Sequence, residues 1–207
     1  MRKHYIILVF FLISSIASAQ SFTVEQKAKF NKNETLKLMT AGKSTIKGQA
    51  FAKDNQSGIK GIAVLNINKR QYAPKGTSIV VIPQTDYFKE WLEVSKKYEK
   101  EGKIVELPDE AKACIKIVQV NGDKGNFEIN NLMPGQYLLM TGFGYEQKKT
   151  YTYTKGYVDT YINDRLQSSR EIEGHYNFKI ISEANIRKLV TIEKEGDVEE
   201  VNLRMTL

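Results

Sequence analysis

The chain has 207 residues, 41% of them hydrophobic and 27% charged, with a formal net charge of +7. That composition is too apolar for a disordered chain, and the length suits one domain with embellishments and a core of its own. A single cysteine, Cys114, excludes an internal disulfide framework. Lys and Glu are interleaved through most of the chain, as at 96–101, which reads as a solvated surface. No basic stripe with interleaved aromatics points to a nucleic-acid groove.

Residues 1–19 read as a secretory signal peptide. Arg2, Lys3 and His4 form a basic head, an apolar run extends from Tyr5 to Ile13, and Ala17-Ser18-Ala19 is the small-x-small pattern of a cleavage site. The apolar run is short for a permanent membrane helix. Cleavage after Ala19 would remove Arg2 and Lys3, taking the charge from +7 to +5, and would leave a mature chain with no long apolar segment. Export to the periplasm, the cell surface or the medium is the expected destination, with no lipoprotein anchor, because no cysteine follows the cleavage point.

Residues 20–43 form a lead-in with a short helix, in which Asn33 is the expected N-cap, Leu36 and Met39 point inward and Gly42 ends the turn. Asn33-Glu34-Thr35 also matches a glycosylation sequon, a weak pattern that a polar lead-in explains equally well. From Ser44 onward the pattern turns to strands. Thr45–Phe51 is the first, Asp54–Gly61 a polar loop, Ile62–Ile67 another strand, and Thr77–Ile82 a third closed by Pro83. A helix then interrupts, capped by Thr85 or Asp86, running to Glu101 and stopped by Gly102. Tyr87, Trp91, Val94 and Tyr98 recur on one helical face, widened by Phe88 and Leu92. The stripe is either an aromatic platform for a ligand or the inner face of a helix glued to the sandwich. Lys103–Lys112 returns the chain to the sheet through Pro108. Cys114, in Ala-Cys-Ile-Lys-Ile-Val, is expected as a small apolar residue inside a strand.

The stretch Ile117–Thr141 carries the clearest pattern. Val118 and Val120, Phe127 and Ile129, then Tyr137 and Leu139 each alternate with other residues, the period of strands with one buried face. Asn-Gly-Asp-Lys-Gly and Asn-Leu-Met-Pro-Gly supply the turns between them. Asp123, with Asn121 and Asn126, falls short of the six or more oxygens that calcium takes, so a polar turn is expected there. After Thr141 comes a concentration of tyrosines: Tyr145, Tyr151, Tyr153, Tyr157 and Tyr161. Tyr151 and Tyr153 share one face of a strand, and Lys155-Gly156 reads as the turn into a second strand, Tyr157–Ile162. This Tyr-rich hairpin is either a contact surface for carbohydrate or peptide, since tyrosine offers a flat ring with a polar tip, or a set of cross-strand packing pairs. Asn163–Gly174 reads as a polar loop with helical character and Tyr176–Ile181 as a strand. Ile186–Ile192 and Val198–Met205 read as a final hairpin around Glu195-Gly196-Asp197.

Several of these segments together resemble the carboxypeptidase regulatory-like domain, a family of transthyretin-like, or prealbumin-like, β-sandwiches. Ile46-Lys47-Gly48-Gln49-Ala50 is similar to its opening strand, and Gly76–Thr85 to its second core strand. Tyr87 and Glu90-Trp91 fit the continuation seen in an exported bacterial subgroup. Gly125-Asn126-Phe127-Glu128-Ile129 and Asn131–Tyr137 resemble the Gly-x-Phe and Leu-x-Pro-Gly-x-Tyr portion. The likeness covers Ser44 to about Thr141 well and the C-terminal strands loosely. It implies a mostly β, antiparallel sandwich over 44–207, from which the inserted amphipathic helix and the Tyr-rich extra hairpin of this chain depart. It implies no peptidase activity, and the small stand-alone members have no agreed function.

The residue inventory argues against an enzyme. After the leader only His175 remains as a histidine, so neither a multi-ligand zinc site nor a histidine-activated nucleophile assembles readily. The multiple histidines and Tyr-Arg-Gly-Ser ending of hydroxyisourate hydrolases, which share the transthyretin fold, are absent. An isopeptide bond would leave the chain one ammonia light. No catalytic residue, metal ligand or cofactor is assigned. The expectation is an exported binding or scaffolding module of the cell envelope, with an envelope protein or a polysaccharide as partner, and with Trp91, Tyr145, Tyr151, Tyr153, Tyr157 and Tyr161 as candidate ligand-binding residues. The exported chain is expected to begin at Gln20, and intact-mass measurement of secreted material checks both that start and the ammonia deficit.

Overall fold

A computed structural model describes residues 21–53 and 70–206. The leader, the Asp54–Gly61 loop and the Ile62–Ile67 strand expected from the sequence lie outside the described residues. The elements run β1 (Ser21–Phe22), α1 (Lys32–Thr40), β2 (Ser44–Lys53), β3 (Arg70–Tyr72), β4 (Ser78–Pro83), α2 (Asp86–Glu99), β5 (Ile104–Val105), α3 (Asp109–Lys112), β6 (Lys116–Gln119), β7 (Asn126–Leu132), β8 (Gly135–Ile162), β9 (Arg165–Ile192) and β10 (Val198–Thr206).

Two sheets face each other. In sheet I, β2 is central: β10 pairs along one side, and β7 and β3 share the other. Sheet II has the order β6-β4-β8-β9. The fold is therefore a mostly β sandwich, as expected, and within these two sheets all the described pairings are antiparallel except one; outside them β1 pairs in parallel with β5. β10 runs parallel to β2, with Val198 opposite Thr45 and Leu203 opposite Ala50. The final hairpin expected between 186–192 and 198–205 is accordingly absent. The chain turns at Glu195-Gly196-Asp197 but crosses from sheet II to sheet I. Ser44 holds this crossover: it is fully buried, its hydroxyl donates to the Lys194 carbonyl at 3.1 Å and accepts from the Gly196 N–H at 2.9 Å.

The inward faces of the sheets supply the main core, including Ile46, Ile79, Val81, Phe127, Ile129, Leu139, Ile192 and Leu203. Burial of each such side chain contributes on the order of 1.5–3 kcal/mol. Gly48 and Phe127 face each other across β2 and β7. The Phe127 ring occupies the space above the glycine, where a Cβ would come within 2.8 Å of its Cζ. This pairing is the physical content of the Ile-Lys-Gly-Gln-Ala and Gly-Asn-Phe-Glu-Ile segments.

Helix α2 covers the outer face of sheet II. Tyr87, Phe88 and Leu92 bury against Ile82 and Leu138, so β8 is covered on both sides there and reads Tyr-Leu-Leu-Met rather than alternating. The expected end at Glu101 shortens to Glu99, and Gly102 adopts φ +72° just beyond. Arg187 of β9 grips Glu99 with two bonds of 2.6 and 3.0 Å, which holds that carboxyl below its usual range.

Helix α1 is capped by Asn31, whose side chain accepts from the Glu34 N–H at 3.2 Å; Asn33 lies inside the first turn. Asn31 with Glu34 has the Asn-x-x-Glu spacing of a capping box, the signal that identifies the cap. Met39 is buried as expected, whereas Leu36, expected to point inward, is exposed. Cys114 is buried in the turn after α3 rather than in a strand.

The C-terminal carbonyls of α1 are taken up by the sandwich. The Tyr137 hydroxyl, fully buried, lies 2.6 Å from the Met133 carbonyl and 3.0 Å from that of Leu38. The Lys116 ammonium donates to the Met39 and Asn130 carbonyls, and burial lowers its pKa. Burial pushes the Tyr137 hydroxyl up from 10.0 to about 12, with the Glu195 charge adding to the rise. The folded state thus holds this proton more tightly than the unfolded chain. Its contribution is fully present below pH 10 and is lost as pH rises through 10 towards 12. Tyr137→Phe is expected to cost about 1–3 kcal/mol at neutral pH and to lose less stability than the wild type across that alkaline window. Urea denaturation at both ends of the window checks the two effects.

Candidate functional site

The two longest strands define the most exposed element. β8 pairs with β4 only from Tyr137 to Thr141, and β9 has no partner on its outer edge among the described residues. Beyond about Gln147 and Ile180 the pair leaves the sandwich as a two-stranded ribbon, roughly 55 Å long by strand rise. Gln71 marks the exit. Its side-chain amide donates to the Glu146 carbonyl at 2.6 Å and its oxygen accepts from the Glu146 N–H at 2.7 Å, so it substitutes for a missing strand residue.

The ribbon corrects two expectations. Lys155-Gly156 is not a turn: β8 continues through it to Ile162, and Asn163–Gly174 is strand apart from its first two residues. The reversal is at Asn163-Asp164, both with positive φ (49° and 58°). A two-residue hairpin turn of this hand needs φ > 0 at both central positions, and Asn and Asp tolerate that region better than other residues with side chains. Lys155 instead forms a bulge, since Thr154 faces Glu173 and Gly156 faces Ile172, leaving Lys155 unmatched.

This bulge sorts the tyrosines. From Tyr137 to Tyr153 the odd residues of β8 keep to one side, which is the core side inside the sandwich. Tyr145 is therefore in the core, only 4% exposed, and is not a surface residue. Tyr151 and Tyr153 lie on the same side but past the end of the sandwich, 61% and 44% exposed. The bulge shifts the alternation, so Tyr157 and Tyr161, 65% and 59% exposed, project from the opposite side.

On the first face the rings of Tyr151 and Tyr153 are 6.4 Å apart and within 13° of parallel. On β9, Tyr176 stands opposite Tyr151, and its ring parallels that of Phe178 at 6.0 Å and 15°. The Tyr153 ring lies face-down over Gly174: a Cβ there would meet its Cζ at 2.5 Å and both Cε atoms at 2.9 Å. Glycine opposite the tyrosine is what lets the ring lie flat. The reverse face of this stretch is polar, with Thr150 bonded to Asn177, Thr152 to His175, Thr154 to Glu171 and Lys179 to Glu146.

Trp91 belongs elsewhere. It is half-buried beside the α2 cluster and its indole N–H donates to the Val105 carbonyl at 3.2 Å. Its neighbour Glu90 accepts from the Lys27 and Ala28 N–H groups at 3.0 and 2.8 Å, which lower its pKa, and so ties the lead-in to α2. The Glu-Trp pair thus closes backbone groups, and the structure does not bring Trp91 together with the tyrosines. Nor does it expose a cysteine–histidine pair, since Cys114 is buried and His175 sits on the ribbon. Phe178, Tyr176 and Gly174 complete the aromatic face from β9. Alternation over Tyr176–Ile181 hinted at the first two; the role of Gly174 needs the cross-strand register.

A concavity of about 490 Å³ lies on the outer face of sheet I. Its lining includes paired polar side chains, Lys47 with Glu128 at 3.6 Å and Gln49 with Asn126 at 3.0 Å. No described helix is long and apolar enough to cross a membrane.

No family model and no curated protein matches the chain. Among solved structures, the fold is similar to that of a "putative carbohydrate binding protein" from Pseudomonas aeruginosa, with a TM-score of 0.51 and 13% identity over 86% of this chain and 99% of that one. At that identity the likeness shows the fold alone.

Gly174→Ala is expected to lift the Tyr153 ring off the ribbon and leave the sandwich intact. The ring-current shift on the residue 174 Hα, read by NMR, should fall towards its random-coil position while the core methyl shifts stay unchanged.

Proposed function

We propose that this chain is an exported, non-catalytic binding module of the cell envelope whose tyrosine-bearing ribbon is the contact element. The observation that carries this reading is the exposure of Tyr151, Tyr153, Tyr157 and Tyr161 on a ribbon directed away from the body. Exposed aromatic rings held in fixed orientation are costly to leave bare and well suited to a partner.

Polysaccharide is the ligand class that the ring geometry favours. Sugar rings present flat C–H faces edged by hydroxyls, and Tyr151 and Tyr153 present adjoining flat ring faces with polar tips. Charges of both signs are interspersed along the ribbon, six basic and four acidic side chains between residues 147 and 180, and the carboxylates of Asp159 and Glu171 beside Tyr157 disfavour a polyanion there. The carbohydrate-binding description of the Pseudomonas aeruginosa protein agrees with this class without carrying it. An envelope protein adding a strand to the open edge of β9 is the second reading, favoured by that strand's unpaired backbone groups.

Affinity electrophoresis of the 20–207 chain through gels containing neutral polysaccharides (galactomannan, glucomannan, hydroxyethyl cellulose) tests the first reading. Retardation is expected, weakened by Tyr151→Ala/Tyr153→Ala with no change in melting temperature. Unhindered migration in every gel would discard carbohydrate as the ligand.

A further inference from the structure

The bulge at Lys155 has a consequence for binding that rests on the carbohydrate reading above. Without it, β8 would alternate unbroken and place Tyr151, Tyr153, Tyr157 and Tyr161 on one side. With it, two tyrosine pairs face opposite ways on a ribbon only one sheet thick. Both sides are open to solvent over this length.

The second face has its own composition. Tyr157 and Tyr161 are about 13 Å apart along the strand, with Asp159 between them on the same side. The later register shift leaves this alternation intact, because its extra residue, Gln167, is on β9. Glu171 stands directly across from Tyr157, and Thr154 donates a hydrogen bond to its carboxylate. Two ring faces flanking carboxylates that accept hydrogen bonds fit a hydroxyl-rich chain, whose O–H groups donate to Asp159 and Glu171 while its C–H faces rest on the rings. The same carboxylates repel a polyanion.

We infer that the ribbon is bivalent: Tyr151/Tyr153 on one face and Tyr157/Tyr161 on the other each hold one chain of a neutral polysaccharide, so that a single protein molecule bridges two chains. The bulge at Lys155 is the device that separates the two subsites, which lie on opposite sides of successive stretches of the ribbon.

Register engineering tests this directly. Inserting one threonine between Ile172 and Glu173 gives Lys155 a partner and restores unbroken alternation, which moves Tyr157 and Tyr161 to the face of Tyr151 and Tyr153. Deleting Lys155 removes the bulge but leaves the pairing of Gly156 with Ile172, so the two pairs stay on opposite faces. Each protein is mixed with a soluble neutral polysaccharide that retards the wild type, and the hydrodynamic size of the polymer is followed by light scattering. Protein mass is set by sedimentation and the integrity of the sandwich by thermal unfolding.

The wild type and the Lys155 deletion are expected to enlarge the polymer by cross-linking it, and the insertion variant to bind without enlarging it. Tyr151→Ala/Tyr153→Ala and Tyr157→Ala/Tyr161→Ala should each retain weakened binding and abolish cross-linking. Loss of all binding from one pair with no effect of the other would overturn bivalency and leave a single-faced carbohydrate site standing. Cross-linking that survives in the insertion variant, or that follows a dimer seen by sedimentation, would also overturn it. A wild type that binds no neutral polysaccharide refutes the underlying carbohydrate reading itself.

Discussion

The register between β8 and β9 is the constraint on which the rest of this molecule depends. It is set inside the core, where Tyr137 faces Val190, Thr141 faces Ile186 and Phe143 faces Ala184, with these side chains all buried. A slip of β9 by one residue would turn Val190, Ile186 and Ala184 to the other side of sheet II, at a cost of several kcal/mol of lost burial. The same two strands then leave the core without interruption. The side that the sandwich buries becomes the side on which the ribbon displays Tyr151, Tyr153, Tyr176 and Phe178. Packing energy in the body therefore dictates which rings meet solvent well outside it.

An isolated two-stranded hairpin is marginal in water, so the ribbon needs support along its own length. Some comes from the body, through Gln71 at the point of exit. The remainder is local: a ladder of Thr–Asn, Thr–His and Thr–Glu contacts on one side and paired rings on the other. Such contacts contribute tenths of a kcal/mol to about 1 kcal/mol each. They hold rings in place without building a second core. Among the described elements the ribbon thus has the fewest core contacts to hold it closed, and binding a partner would add order there.

Much of the sandwich was legible because its signals are local. The Gly-Asn-Phe-Glu-Ile and Leu-Met-Pro-Gly-Gln-Tyr segments alternate, carry their turn residues and contain the reasons for both: Phe127 roofing Gly48, and Tyr137 reaching back to the Met133 carbonyl. The amphipathic stripe of α2 likewise foretold a glued-on helix, and Tyr87, Phe88 and Leu92 are its inner face. The failures have a common cause in long-range pairing. Val198–Met205 alternates just as an antiparallel return strand would, and nothing local says that its partner is β2, running parallel. Asn163-Asp164 lost to Lys155-Gly156 as the turn because glycine is the louder signal. What decides between them is the match of Glu173 and Ile172 across the ribbon, which a single strand's sequence does not contain.

For the candidate site the same distinction applies. Tyrosine density identified the right region, and strict alternation put Tyr151 and Tyr153 together. Tyr145 belonged by spacing to the same series and by depth to the core, because alternation tells which side a residue faces but not where the sandwich ends. Tyr157 and Tyr161 shared its parity too, yet stand on the other side, because one unmatched residue reverses a period of two. Trp91 was drawn in by residue type alone, and its indole N–H is already taken by the Val105 carbonyl. A site on a bare ribbon is thus specified by three quantities that composition does not hold: the point at which the second sheet stops covering the first, the position of the bulge, and the glycine opposite a ring. Gly174 shows why the last matters. With any larger residue there, Tyr153 would stand away from the sheet, and the flat face that distinguishes a binding surface from a packing pair would be lost.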